Sequence, residues 1–377
     1  MHRFAVKPEI YYSSGAVSCL ARQGIEKILI IIDPVMKENG AGYSVERAFA
    51  GKNNAAFSYY TDIKPDPAPD SLTGGVQKAL DFRPDLIVAV GGGSAIDAAK
   101  AIVFLYVKIA PARDAGFKKP LFAAIPTTSG TGSEVTNISV ITVDGVKKVL
   151  VDDAFLPDLA IIDADFTKTL PLSILADTVF DALTHALEAY ISSRASDCAD
   201  AFAEKAIKLI FRYLKEILAS GDNPEARSRL HHAACIAGMS FTNASLGINH
   251  SMAHALASSF SVAHGKANAV FLAHTLKFNA KAPYVAEKLA VLSQEMGFAR
   301  RGIEKNDICV MKLLIKIKQL LHLCGVPSSV HELGISLDGY IKEIPKMTMT
   351  AAVDICTVTN PVRASAEDFI KLFLLAY

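Results

Sequence analysis

Three histidines crowd one apolar stretch of the chain. His250, His254 and His264 fall within GINHSMAHALASSFSVAHGKAN, residues 247–268, among small and hydrophobic neighbours. Imidazole is a common ligand for divalent metals, so such a density asks for a chemical reading. His250 and His254 stand four apart and share one face of a helix. His264 is too far along for the same helix, because its separation from His250 is about 21 Å of helical rise. Joint binding of one ion therefore requires the chain to double back near residues 258–263, where Ser-Ser-Phe-Ser is a plausible break. Asp181 and His185, in DALTHALEAY, form a second pair four apart on one helix face. A carboxylate and three imidazoles suit Fe²⁺ or Zn²⁺. Each group also has a simpler reading, a helix-face hydrogen bond for the pair and buried structural histidines for the trio. Their occurrence in one helical region favours a joint site. Four protein ligands around a tetrahedral ion would leave no place for substrate. The site must then expand its coordination or leave one histidine free, and His254 is the spare by position, close enough to relay a proton.

A different chemistry is suggested upstream. The continuous apolar run DLIVAV, residues 85–90, reads as a buried strand, and Gly91-Gly92-Gly93-Ser94 separates it from a helix over 95–105. Glycines admit close approach to the backbone, and a helix N-terminus offers free N–H groups to a pyrophosphate. The same residues would also make a tight strand-to-helix turn, and the pattern is not the G-x-G-x-x-G fingerprint. The next strand, LFAAIP, leads into TTSGTGSE. Two adjacent strand ends carrying such loops form the crevice in which α/β sheets hold nucleotides, with Thr127, Thr128, Thr131 and Ser133 as candidate contacts. Asp33 ends an earlier strand, where an acid can bind a ribose hydroxyl and repel a 2′-phosphate; a cap on the turn into Pro34 is the alternative. Asp97 stands on the first turn of the helix after the glycines and can equally serve the helix dipole.

These residues need elements to position them. The first half alternates short apolar strands with amphipathic segments, the rhythm of an α/β domain with a largely parallel sheet. Beyond residue 163 strand signals nearly vanish, and helical patterns run at about 171–193, 197–219, 225–242, 247–258, 267–277, 285–297 and 307–323. A boundary near 165 divides a 1–165 α/β domain from a 166–377 helical one. The 377 residues are 51% hydrophobic and 20% charged, with a formal net charge of +1. That balance gives no reason to expect nucleic acid or a membrane surface as partner. The six cysteines are scattered without C-x-x-C spacing, and the N-terminal residues lack the apolar core of a signal peptide, which together suggest a reducing cytoplasm.

The motifs, taken in order, resemble the iron-containing (group III) alcohol dehydrogenases over nearly the whole chain. They are Asp66-Pro67, GGGSAIDAAKA at 91–101, PTTSGTGSEVT at 126–136, Lys148, DALTHALEAYIS at 181–192, the histidine stretch, and TNPVRAS at 359–365. The resemblance implies an N-terminal dinucleotide-binding α/β domain and an all-α C-terminal domain, a dehydroquinate synthase-like arrangement with the active site between them. It also implies Asp181, His185, His250 and His264 as metal ligands, His254 as proton relay, and Asp33 as the acid favouring NAD over NADP. The two glycine-bearing loops would carry the cofactor, Gly91, Gly92, Gly93, Ser94 and Asp97 in the first and Thr127 to Ser133 in the second, with Lys148 nearby. There are departures. Ala95 stands where many members have proline, Asn249 where a valine-like residue is usual, and Leu256-Ala257 replaces Leu-Gly. None removes a ligand, and the last two bear on the substrate pocket.

The expected activity is interconversion of a short primary alcohol and its aldehyde by hydride transfer with NAD(H), on a protein binding Fe²⁺ or Zn²⁺. A diol or glycerol dehydrogenase, or a lactaldehyde reductase-like activity, is the related alternative, and His250 argues against the three-ligand pattern of the glycerol enzymes. A non-catalytic scaffold subunit is the alternative of another class. A homodimer or larger homo-oligomer in a bacterial cytoplasm is expected, with microcompartment association left open.

Overall fold

The structure is a computed structural model that describes residues 4–52, 54–63, 67, 69–143, 146–220 and 223–377 of the chain. Asp66 lies outside the described residues. Two compact units emerge, Ala5–Leu170 and Pro171–Tyr377, with Phe4 counted in the second, where its ring stacks on Phe202.

The first unit is built on the strands β1 (Glu9–Tyr12), β2 (Lys27–Ile32), β3 (Ala56–Tyr60), β4 (Leu86–Gly91) and β5 (Leu121–Pro126), a hairpin of β6 (Ile138–Val143) and β7 (Val146–Val151), and β8 (Leu159–Ile162). Six of them form a parallel sheet in the order β1-β8-β5-β4-β2-β3. The interiors of β2, β4, β5 and β8 carry no polar side chain because both sheet faces are covered. Among the described residues the α-helices of this unit are α1 (Pro34–Glu38), α2 (Ala41–Ala48), α3 (Pro69–Phe82) and α4 (Gly93–Arg113). On one face Leu72 and Val76 of α3 and Ile96, Ile102 and Tyr106 of α4 pack on Leu29, Ile31, Ile87, Ala89 and Phe122. On the other, Leu20, Val45 and Phe49 pack on Ile28, Ile30, Val88, Ile125 and Ile161.

The chain runs outward from β2 to β3, then crosses back to β4 and continues to β5 on the other side. That reversal leaves the carboxyl ends of β2 and β4 flanking a switch point, where α/β sheets bind ligands. Residues Ala16–Leu20 form a 3-10 turn after a left-handed Gly15. Two details differ from the sequence reading. The β6–β7 hairpin was not expected among segments read for their place in the parallel sheet. Helix α4 is also longer than expected, because Pro111 sits within its last turn without ending it.

The second unit is helical, as expected, with α5 (Leu172–Ile191), α6 (Asp197–Ser220), α7 (Pro224–Ala244), α8 (Ile248–Phe260), α9 (His264–Asn279), α10 (Pro283–Glu295), α11 (Asn306–Cys324), α12 (Leu337–Val353) and α13 (Ala366–Leu375). Helix α5 is buried along most of its length and packs on α6, α7 and α9. Helices α8, α9, α12 and α13 share one core around Met252, Phe271, Tyr340, Met347 and Phe369. The reversal expected near residues 258–263 is present: Ser261 adopts the left-handed conformation, φ 54° and ψ 36°, and ends α8. Helices α12 and α13 were not singled out from sequence; Pro345 interrupts the pattern of the first.

One buried cation braces the loop after β5. Lys100 of α4 is fully buried, and its Nζ donates to the Thr136 carbonyl and hydroxyl, both at 2.9 Å, and to the Ile138 carbonyl at 2.6 Å. Burial lowers its pKa to about 8, with Asp97 and Glu134 opposing. The folded value lies below the unfolded one, so the unfolded chain binds more protons between the two, and folding gains stability as pH rises through that window. Equilibrium unfolding should therefore show wild type gaining about 1–3 kcal/mol relative to Lys100→Met between about pH 8 and 10.5. A difference independent of pH would mean that Lys100 is not held charged against its burial.

Candidate metal centre

Helix α5 supplies three acid and imidazole groups along one buried stripe. Asp181, His185 and Glu188 are separated by four and then three residues, the spacing of one helix face, and all three are nearly inaccessible to solvent. Helix α9 reaches Asp181 because its first turn lies against the backbone of α5. A Cβ at Gly265 would sit 2.1 Å from the Asp177 carbonyl oxygen, so only glycine lets His264 come so near. Helix α8 brings His250 in from its own first turn.

The result is a convergence of oxygen and nitrogen donors. Asp181 Oδ1 lies 3.7 Å from His250 Nε2 and 3.5 Å from His264 Nε2, and the three groups offer ligand atoms within 4.8 Å of one another. Burial would by itself raise the pKa of Asp181, but the imidazoles of His185, His264 and His250 hold it well below the usual carboxylate range. His264 is pushed down to about 3, chiefly by desolvation. Burial opposes charge on His250 as well, but the Glu188 and Asp181 carboxylates raise it to about 9, so a cation entering here displaces a proton from that ring. An ionised acid beside imidazole nitrogens is the donor set of a divalent cation site. His185 acts on the charge of Asp181 from just outside the trio of ligand atoms that lie within 4.8 Å of one another. Its ring stacks on His250, with centroids 4.5 Å apart, and on Phe241, with centroids 4.4 Å apart.

The partners behind these groups were not read from the sequence. Glu188 Oε2 lies 2.5 Å from His250 Nδ1 and also accepts the His250 backbone N–H, while Oε1 accepts that of Asn249 at 2.7 Å. One carboxylate thus caps the start of α8 and holds the proton of His250 on Nδ1, leaving Nε2 to face Asp181. This is the carboxylate–histidine arrangement that orients metal ligands. Asn268, four residues after His264, donates from Nδ2 to Asp181 Oδ1 at 2.6 Å. Its Oδ1 accepts from Asn249 Nδ2 at 2.9 Å, and Asn249 Oδ1 accepts from the Thr275 hydroxyl at 2.8 Å. The chain of buried amides fixes which end of Asn268 faces the acid. Asn249, a departure from the family pattern in sequence, has its role here. The spacing of Asp181, His185 and Glu188 was the available signal for Glu188; nothing local pointed to the Asn249–Asn268 pairing.

His254 lies beside this cluster. Its ring stacks on His264 with centroids 5.2 Å apart, and its Nδ1 lies 2.8 Å from Asp354 Oδ2. Burial would raise the Asp354 pKa, and the bond from His254 instead keeps it at about 2. Asp354 stands between α12 and the 3-10 turn Ile355–Thr359, a hundred residues from its partner in sequence.

In the α/β unit the two loops pack directly on each other. A Cβ on Gly93 would meet the Thr131 methyl at 2.7 Å, and one on Gly91 would meet the Ala95 methyl at 2.5 Å. The Thr127 backbone N–H donates to the Gly91 carbonyl at 3.0 Å, and Thr128 lies against Gly92. Ser94 follows in the first turn of α4. The side chains of Asp97 and Ser133 face each other: the Ser133 hydroxyl donates to Asp97 Oδ1 at 2.5 Å, and Asp97 Oδ2 accepts the Val140 backbone N–H at 3.0 Å. Both carry out a bracing role that the sequence reading had not assigned. Asp33 caps α1, accepting from Val35 N at 2.8 Å and Met36 N at 3.4 Å with one oxygen. Its backbone N–H donates to the Val90 carbonyl, which sets it beside the glycine loop at the switch point. Lys148 is exposed on β7, opposite Ile141.

Comparison with known proteins agrees over the whole chain. Residues 8–164 match the family model described as iron-containing alcohol dehydrogenase, and residues 175–377 match the model of the C-terminal part of that family. The chain is 38% identical over 375 residues to a 1-propanol dehydrogenase, PduQ, of Salmonella typhimurium, covering 99% of each. It is 34% identical to an NADPH-dependent butanol dehydrogenase of Clostridium saccharobutylicum, covering 100% of this chain and 98% of that one. The solved iron-containing alcohol dehydrogenase of Thermococcus thioreducens superposes with a TM-score of 0.88 at 33% identity, covering 100% and 99% of the two chains.

Glu188→Gln leaves one oxygen to serve bonds now shared by two. Metal affinity, read by competition with a chromophoric chelator, should fall about 10–100-fold. Asn249→Val strands the Asn268 carboxamide and should destabilise the helical unit by about 1–3 kcal/mol in equilibrium unfolding. Wild-type metal affinity in Glu188→Gln, or wild-type stability in Asn249→Val, would remove the corresponding residue from the account.

Proposed function

This chain belongs to the iron-containing alcohol dehydrogenase family, and from that premise we propose that it interconverts a short unbranched primary alcohol and its aldehyde with NAD(H). The convergence of Asp181, His250 and His264 is the observation that carries the reading. The 1-propanol and butanol activities named for two relatives support a substrate of that size. Asp181, His250 and His264, with His185 one ring-stack away, would hold Fe²⁺, or Zn²⁺ where supply favours it; their donor chemistry fits either ion. When bound, the metal supplies Lewis acidity toward the substrate oxygen and the nicotinamide supplies hydride acceptance or donation.

The chain's own residues do the rest. Glu188 engages Nδ1 of His250 and leaves Nε2 facing Asp181, and Asn268 aims Asp181. His254, oriented by Asp354 through Nδ1, presents its other nitrogen as the proton relay for the substrate hydroxyl. In the α/β unit, Gly91, Gly92, Gly93 and Ser94 would seat the pyrophosphate against the start of α4, with Thr127, Thr128 and Thr131 beside it. Asp97 and Ser133 brace that seat, and Lys148 lies on the neighbouring hairpin. Asp33, at the end of β2 beside the glycines, has one carboxylate oxygen unused by its cap and would meet the adenosine ribose, which favours NAD over NADP.

A homodimer or larger homo-oligomer is the proposed assembly. The apolar side chains of Ile308, Met311 and Ile315, exposed at helical spacing along α11, support it. Among the described residues no helix is long and apolar enough to cross a membrane, and the cytoplasm is the proposed compartment.

An aldehyde panel with NADH and NADPH, run on protein of measured metal content, tests the reading. Propanal or butanal should be the preferred substrate with NADH. Chelator-stripped protein should lose turnover while still binding NADH. His254→Ala should retain its metal and slow turnover by about 10²–10⁴-fold, the usual worth of a positioned acid–base group. Full turnover in verified metal-free protein would overturn the assignment, and undiminished turnover in His254→Ala would end the relay.

A further inference from the structure

Among the described residues, a second cluster brings together ligand atoms of a kind that a metal ion takes: His254, Asp354 and Cys356, all within 4.8 Å of one another. Its composition differs from the first. It offers one nitrogen, one carboxylate oxygen and one sulfur, whereas the Asp181 cluster contains no sulfur. Helix α8 serves both, presenting His250 to one and His254 to the other. Asp354 caps the 3-10 turn that carries Cys356: its carboxylate accepts the Cys356 backbone N–H at 2.8 Å, and also the hydroxyl of Ser251 on α8 at 3.3 Å. The Ser251 hydroxyl in turn accepts from Thr357 at 2.8 Å. The acid and the thiol are thus held in a fixed relation before any ion arrives.

We propose that His254, Asp354 and Cys356 form a second, inhibitory site for a thiophilic divalent cation such as Zn²⁺. Three arguments favour it. Nitrogen, oxygen and thiolate sulfur are the donors zinc prefers, and three protein ligands leave a fourth position open to water. The charge balances, because one carboxylate and one thiolate neutralise a dication in a site that is otherwise expensive for net charge. The site also has a way in. Cys356 is buried, but His254 and Asp354 are partly exposed, and Val353, Ile355 and Val358 around them are open to solvent. Binding replaces the thiol proton, which leaves to solvent. It takes His254 through Nδ1, in place of the bond to Asp354, with the imidazole proton on Nε2. On the relay reading given above, this locks the ring and arrests proton transfer without disturbing the Asp181 ligands.

The absence of sulfur from the first cluster gives the experiment its resolution. Co²⁺ is titrated into protein whose catalytic metal content is already known, and thiolate-to-cobalt charge-transfer absorption is followed. The expected result is a band saturating at one further equivalent per chain, lost in Cys356→Ser and Cys356→Ala and kept in Cys198→Ser, whose thiol is exposed. This readout is independent of dehydrogenase activity, so a band in protein that reduces no aldehyde supports the site while sinking the proposed function. In active protein, Zn²⁺ should inhibit, and Cys356→Ser should raise the half-inhibitory concentration by about 10-fold or more. The proposal is overturned by the absence of the band or by its persistence in Cys356→Ser. It is equally overturned if Zn²⁺ inhibits Cys356→Ser as it does wild type while releasing the catalytic metal, since the ion then acts at Asp181.

Discussion

A carboxylate buried as deeply as Asp181 cannot remain charged without compensation, and the centre of the helical unit is arranged around supplying it. Three imidazoles and one carboxamide surround it, drawn from α5, α8 and α9. In water an isolated pair of this kind would be worth little. In the interior of a helical bundle an unpaired charge costs several kcal/mol. Helices that bring an acid to that depth must therefore also bring its partners. A divalent cation completes such a set better than any protein group can, because it satisfies the acid and the imidazoles together.

The same logic extends outward by one layer. Each histidine that faces the site through one nitrogen has its other side committed or packed: His250 to Glu188, His254 to Asp354. Glu188 also terminates α8, so the group that sets the His250 tautomer is the group that fixes where the helix begins. Position and protonation are then not independent variables. A shift of α8 along its axis would break the cap and the imidazole bond at once, which is why a site built on helix starts can be held to a fraction of an ångström.

In the α/β unit the governing constraint is space. The glycine loop and the Thr/Ser loop touch so closely that Thr131 lies where a side chain of residue 93 would be, and Lys100 holds the far end of the second loop from below. Asp97 and Ser133 belong to that bracing. A sequence reading that gathers every polar residue near a glycine loop as a ligand contact does not separate the residues that build the loop from those that face outward. The distinction is one of direction, and direction is a property of the folded backbone.

Much was legible in the linear chain. The parallel sheet followed from uninterrupted apolar strands, and the helical half from its periodicity. The four-residue spacings of Asp181 with His185 and of His250 with His254 placed each pair on a face, and the need to bring His264 back called for the reversal that Ser261 makes. These are local matters, decided by the geometry of 3.6 residues per turn and by residue type. Which donors meet was not local. Glu188 finds His250 across 62 positions, Asn268 finds Asp181 across 87, and Asp354 finds His254 across 100. The stacking of His185 on His250, which sets its ring beside the Asp181 cluster, was not local either. Contacts of that range are set by how α5, α8, α9 and α12 pack, and packing depends on the summed fit of many side chains, which no spacing rule along one helix contains.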